Sequence, residues 1–132
     1  CLHEVEGVWH LYHIAGTPGV SCGLPGNEVF FGHATTRDFR SWETHEACFF
    51  IDVRGWDHGH VFAPYVISHA GKHWMFYTGV ATDNTQRIGV AVSTDLFTWE
   101  RASDPARGIR LGILPDIRWS RVPRCSRDRT PW

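Results

Sequence analysis

The chain has 132 residues, a formal net charge of −1 and no run of about 18 apolar residues, which excludes a membrane-spanning helix. Seven Trp, eight Phe and three Tyr make 14% of the residues aromatic, a share suited to packed β-sheets and to sugar-stacking surfaces. Charge is unevenly spread: up to Glu100 five basic residues face eleven acids, and from Arg101 onward eight arginines face three.

Taken in chain order, residues 1–7 read as an inner strand and Val8–Ala15 as the strand beside it. Residues 16–27 hold four glycines and two prolines and form a loop, long for a hairpin, of the kind that carries ligand contacts. Residues 28–36 and 42–50 are the third and fourth strands. Residues 52–59 (DVRGWDHG) cross to a second set. There residues 60–68 are extended, His69-Ala70-Gly71 makes a tight turn, and Lys72–Val80 is an aromatic strand. Asp83-Asn84-Thr85 breaks the chain, residues 87–93 form the next strand, and Trp99 opens a fourth. After Ser103 the strand pattern stops.

The faces of these strands bear on architecture. In Lys72–Val80 both alternating sets are apolar, Met75 and Tyr77 against Trp74 and Phe76, so cover on both faces is expected. In residues 87–93 the branched set Ile88, Val90 and Val92 opposes the small set Gly89, Ala91 and Ser93. A small-residue face lets another sheet approach closely, which fits a β-propeller better than an open sandwich.

The unit occurs twice. GHATTRDFRSWE (32–43) lies under GVAVSTDLFTWE (89–100) at an offset of 57 residues, with Gly, Ala, Asp, Trp and Glu at matching places. Upstream, GVWHLYHIAG resembles GKHWMFYTGV. A chance match of two hairpins is the plainer alternative, and the Asp and Trp recurring at fixed separation argue against it. Asp38 and Asp95 are read as caps of the turn between third and fourth strands, with Trp42 and Trp99 packing the outer strand. A propeller closes with about four blades or more, so two repeats imply an incomplete one.

The four cysteines, Cys1, Cys22, Cys48 and Cys125, form no C-x-x-C pair and are read as scattered reduced thiols. The basic tail lacks Lys and any strand or helix period and contains Pro105, Pro115, Pro123 and Pro131. It is read as a segment outside the fold, with no nucleic-acid partner. The chain opens at Cys1 without a basic-then-apolar leader, and its sequence assigns it neither to the cytoplasm nor to secretion.

The pattern G-x-A-x-[ST]-x-D-[FL]-x-x-W, present as FGHATTRDFRSWE and IGVAVSTDLFTWE, accompanies an aromatic strand ending in FYTG. Together they resemble the five-bladed propeller glycoside hydrolases of families 32, 43, 62 and 68, over residues 1 to about 103. The resemblance implies an all-β fold of antiparallel four-stranded blades, residues 1–51 and 52–103 forming two blades of five and residues 104–132 an irregular tail. It implies a glycosidase of the fructosidase, arabinosidase or xylosidase type, with carbohydrate as partner and no cofactor, and with the remaining blades supplied elsewhere in the parent chain. Such enzymes use paired carboxylates, one to attack or activate water and one to protonate the leaving oxygen.

By that resemblance the first carboxylate belongs in an Asp-Pro just before the first inner strand, upstream of Cys1. An acid often follows the Ala-Pro of the second inner strand, but Tyr65 follows Ala63-Pro64. A later Arg-Asp-Pro is echoed by Arg127-Asp128, but Arg129 stands in place of proline in a tail with no blade around it, so Asp128 is a poor match for that role and the catalytic residues stay unassigned. The isolated chain is therefore expected to be inactive, and a non-catalytic carbohydrate-binding β module is the alternative. A phosphorylase would need a basic cluster that Arg54 and Arg87 do not make.

The expected substrate-binding residues are Trp56, Asp57, His58 and His60, at the mouth of the second inner strand. His58 and His60 are two apart and point the same way in an extended chain. Asp57 and the two imidazoles would hydrogen-bond sugar hydroxyls, with Trp56 near for stacking; the structural alternative is that they satisfy a crossover turn. No metal site is read, because His10 and His13 face opposite ways and His58-x-His60 lacks a third ligand. Glu4 and Glu6 read as a surface pair, and Asp52 as a turn residue.

Overall fold

Two-residue turns set the register of both halves. Glu6 and Gly7 take φ of 52° and 76° between paired Val5 and Val8, and Ala70 and Gly71 take 51° and 72° between His69 and Lys72. Two successive left-handed residues match the twist of the strands they join. The computed structural model describes residues 1–102. In it β1 (Leu2–Val5), β2 (Val8–Ala15), β3 (Phe30–Thr36) and β4 (Glu43–Phe50) form one antiparallel sheet in chain order. A second repeats the plan with β5 (His60–His69), β6 (Lys72–Val80), β7 (Gln86–Ser93) and β8 (Glu100–Arg101). Glu28, expected in the third strand, takes φ of 53° and stays in the loop. Asp128, Cys125 and the prolines of the tail lie outside the described residues.

The β3–β4 and β7–β8 turns are copies. Asp38 Oδ1 accepts the amides of Arg40 and Ser41, and Asp95 Oδ1 those of Phe97 and Thr98, all at 2.8 Å. Phe39 and Leu96, at matching places, take φ of 57° and 70°. The Ser41 and Arg40 amides hold the Asp38 carboxyl below its ordinary range; around Asp95 burial opposes the shift, and bonds from Thr98 and Phe97 outweigh it.

The sheets stack face to face. Val61, Val66, Met75, Tyr77, Ala91 and Leu96 of the second pack on Tyr12, Phe31 and Phe49 of the first. Most of the driving force is apolar area withdrawn from water, about 25 cal/mol per Å². The small set on β7 works as expected: Gly89, Ala91 and Ser93 are buried at this seam. Two expectations differ. On β6 the Met75 and Tyr77 face is buried, whereas Trp74 and Phe76 are half-buried, because no third layer lies over them among the described residues. Trp99 sits in the seam, edge-on to Tyr12 at 5.7 Å, but its counterpart Trp42 is 40% exposed, since nothing described lies over that side of the first sheet.

The first strands of the two sheets run side by side. The Val66 amide donates to Cys1 Sγ at 3.3 Å, and His3 Nε2 meets Ser68 Oγ at 2.9 Å. β5 carries a bulge: the ladder skips from Phe62 to Tyr65, leaving out Ala63, with φ of 50°, and Pro64. Proline has no N–H to give a ladder, so such a break is where a strand tolerates it. Among the described residues Cys1, Cys22 and Cys48 form no disulfide.

Candidate functional site at the mouth of the second inner strand

The crossing between the sheets and the long glycine-rich loop converge on the start of β5. The Val61 amide donates to the Glu28 carbonyl at 3.0 Å, and the Ile51 amide to the Val29 carbonyl at 2.9 Å. Asn27 anchors the loop: it is buried, and its Oδ1 accepts the Thr17 amide at 3.0 Å. A Cβ on Gly16 would stand 2.7 Å from that oxygen, so glycine is required where the loop closes.

His60 lies between loop and strand. Its Nδ1 donates to the Asn27 carbonyl at 2.9 Å, which leaves Nε2 as an acceptor on a partly exposed ring stacked on Phe62 at 5.5 Å. His58 is tied elsewhere. Its Nε2 accepts the Thr82 amide at 3.2 Å and its Nδ1 meets the Gly55 carbonyl at 2.9 Å. The two imidazoles are therefore held by different elements, because His58 precedes the strand rather than extending it.

Asp57 is fully buried. Its Oδ2 accepts the Tyr77 hydroxyl at 2.9 Å and both Nε and Nη2 of Arg101, at 3.0 and 2.8 Å, while Oδ1 has no partner among the described residues. Arg101 also donates to the Phe50 carbonyl and lies over the Phe49 ring at 4.4 Å. Burial first, then the Asp57 charge, pushes the Tyr77 phenol above its ordinary range. Trp56 stacks on Tyr77 at 6.0 Å and presses on Gly79, with its indole nitrogen buried and without a partner among the described residues. Trp56 and Asp57 thus form a floor beneath the strand mouth, and His60 with Phe62 its open side.

Carboxylates are sparse along the inner strands. β5 carries none, and Tyr65, 62% exposed, follows Ala63-Pro64. β1 carries Glu4, whose Oε1 accepts the Gly7 amide at 2.5 Å. Sequence reasoning missed the roles of Asn27 and Arg101. The glycines and prolines pointed to the loop but not to the residue that pins it. By charge Arg101 belongs with the basic tail, whereas it sits in β8 and closes the seam.

The profile of the glycosyl hydrolases family 32 N-terminal domain matches residues 1–108. No curated protein sequence matches. Among solved structures the chain is similar to CoXyl43, a family 43 β-xylosidase/α-arabinofuranosidase from a compost microbial metagenome in complex with xylotriose. There the identity is 19%, the TM-score 0.65, and the match covers 79% of this chain and 33% of that one. The GH43_1 enzyme from Xanthomonas citri complexed with xylose aligns with TM-score 0.67 and 15% identity, over 79% of this chain and 31% of that one. Fructan 1-exohydrolase IIa from Cichorium intybus aligns with TM-score 0.60 and 19% identity, over 73% of this chain and 18% of that one. The chain thus spans a third or less of the length of these propeller enzymes. Its two stacked four-stranded sheets, its repeated Asp-capped turn and the family match over residues 1–108 lead to one conclusion: the chain belongs to the glycosyl hydrolases family 32 N-terminal domain.

Proposed function

We propose that this chain contributes two adjoining blades to a glycosidase propeller of the fructosidase, arabinosidase or xylosidase type, and that alone it does not hydrolyse glycosidic bonds. Family membership supports the glycosidase class. The observation that carries the second half comes from the described inner strands: β5 has no acid, and the Glu4 carboxylate on β1 is engaged by its own turn. Most glycoside hydrolases use two carboxyl groups flanking one bond, and Tyr65 brings a phenol rather than a carboxyl group to the position after Ala63-Pro64. The exposed outer faces of both sheets support docking of further blades.

In this reading a sugar sits at the β5 mouth. His60 Nε2 accepts from a sugar hydroxyl, Phe62 offers an apolar edge, and Trp56, Asp57 and His58 hold that corner in shape. The test is turnover of aryl xylosides, arabinofuranosides and fructosides by the isolated 132-residue chain, with no rate above buffer expected. Measurable turnover would sink the inactivity claim. A second reading, a non-catalytic sugar-binding module, is favoured by the His60–Phe62 stack. Titration with xylotriose or a fructan oligosaccharide, followed by NMR, separates the two. Saturable shifts at His60 in a chain with no hydrolytic parent activity favour the module.

A further inference from the structure

The face of the first sheet that meets the second carries a row of imidazoles. His3 and His10 are ladder partners on β1 and β2, and His33 and His45 on β3 and β4. His10 Nδ1 and His33 Nε2 are 3.0 Å apart and buried, and the His33 and His45 rings lie 4.9 Å apart. His73 of β6 joins from the second sheet: Ser68 Oγ stands 2.9 Å from both His73 Nδ1 and His3 Nε2. Tyr12 stacks on His33 at 4.8 Å, and Phe97 of the β7–β8 turn is edge-on to His10, His33 and His45 at 5.7, 4.9 and 5.1 Å.

The repeat shows that this architecture does not require histidine here. At the offset of 57 residues Val90 stands where His33 does, and the match of GVWHLYHIAG with GKHWMFYTGV puts Trp74 where His10 is. One copy of the unit thus makes this face apolar, and the other makes it basic.

Two facing imidazole nitrogens need one N–H and one lone pair, so the His10–His33 bond survives one proton on the pair. A second proton sets N–H against N–H. Among the described residues His33 Nδ1 has no partner, and His33 lines a cleft of about 450 Å³ with His45, Glu46, Cys48, Phe97 and Trp99. We propose that this row is an acid-labile joint: it holds the two blades together near neutrality and releases them when the His10–His33 pair takes up its second proton.

The other titratable groups around the row do not offset that charge. Asp95 spends its carboxylate on Ser93, Phe97 and Thr98. Glu46 is an exposed residue at the cleft, and Glu4 near His3 accepts the Gly7 amide. The Tyr12 phenol and the Cys48 thiol are pushed up by burial, the thiol to about 12, and stay neutral. Among the described residues no carboxylate hydrogen-bonds any imidazole of the row. Burial, then neighbouring imidazoles, lowers His3, His10 and His33, the last from 6.5 to about 4. A folded-state value below the unfolded one means that the joint is intact above pH 6.5 and weakens as pH falls toward 4.

The test uses the whole 132-residue chain. Its thermal midpoint should fall as the pH drops from 6.5 to about 4, and His33→Val, which copies the other repeat, should lose most of that fall. By NMR, contacts between the Phe97 ring and His33 should vanish as the pair takes its second proton. A Val variant with the full acid dependence would overturn the proposal. If that variant does not fold, the wild-type titration decides. Imidazoles that titrate together at the ordinary value, or a doubly protonated pair that keeps its Phe97 contacts, would equally overturn it.

Discussion

Asp57 and Arg101 form an unequal pair, and the inequality decides which substitution is severe. Asp57 is fully buried and Arg101 is 26% exposed. Arg101→Met would strand a carboxylate away from water with Tyr77 as its remaining donor, at a cost of about 3 kcal/mol, the low end for a broken buried pair because the cation is partly hydrated. Asp57→Asn keeps the shape and an acceptor for Tyr77, and the freed guanidinium can turn to water, so its cost is about 1 kcal/mol. Urea unfolding of both variants checks the order. Equal losses would mean that packing of Arg101 on Phe49, rather than the ion pair, holds the corner.

Among whole elements, β3 and β7 share a sequence pattern but meet different neighbours. A Cβ on Gly89 would overlap the Tyr77 ring, which Asp57 and the seam hold in place. A Cβ on Gly32 would overlap His13, an exposed ring whose hydrogen bond is to the adjacent Ile14 carbonyl. Neither glycine has positive φ, so space alone separates them. Gly89→Ala should cost about 3 kcal/mol, and Gly32→Ala should stay within about 0.5 kcal/mol of wild type, because His13 can swing aside. Denaturation midpoints measure both. Two equal penalties would show that the first sheet is also covered on that side.

At the scale of the molecule, the unsatisfied surfaces among the described residues are the two outer sheet faces. Tyr65 and Ile88 are 62% and 54% exposed on one, beside half-buried Trp74 and Phe76; Phe39 and Trp42 are 50% and 40% exposed on the other. Apolar area of this kind drives association. The isolated chain should therefore sediment as a concentration-dependent mixture, and Tyr65→Ser with Ile88→Lys should move it toward monomer with unchanged circular dichroism. A monomer at every concentration before substitution would argue that these faces are not docking surfaces.

The order of residues settled the strands, turns and repeat because each is written locally. Alternation with period two, Gly and Asn breaks, and the Asp-x-x-x-Trp turn need no distant contact. Thus β2 and β6 were legible to the residue, and the family was legible from GHATTRDFRSWE and its copy. The candidate corner was legible only as a place. The long loop and the DVRGWDHG crossing marked it, but no local rule says that Asn27 pins the loop to His60 or that Asp57 points inward to Arg101 across 44 residues. The tertiary structure alone decided that His10 and His33, 23 residues apart, share one buried hydrogen bond. Register and sheet stacking bring such groups together, and both are sums over many strand pairs that no single stretch contains.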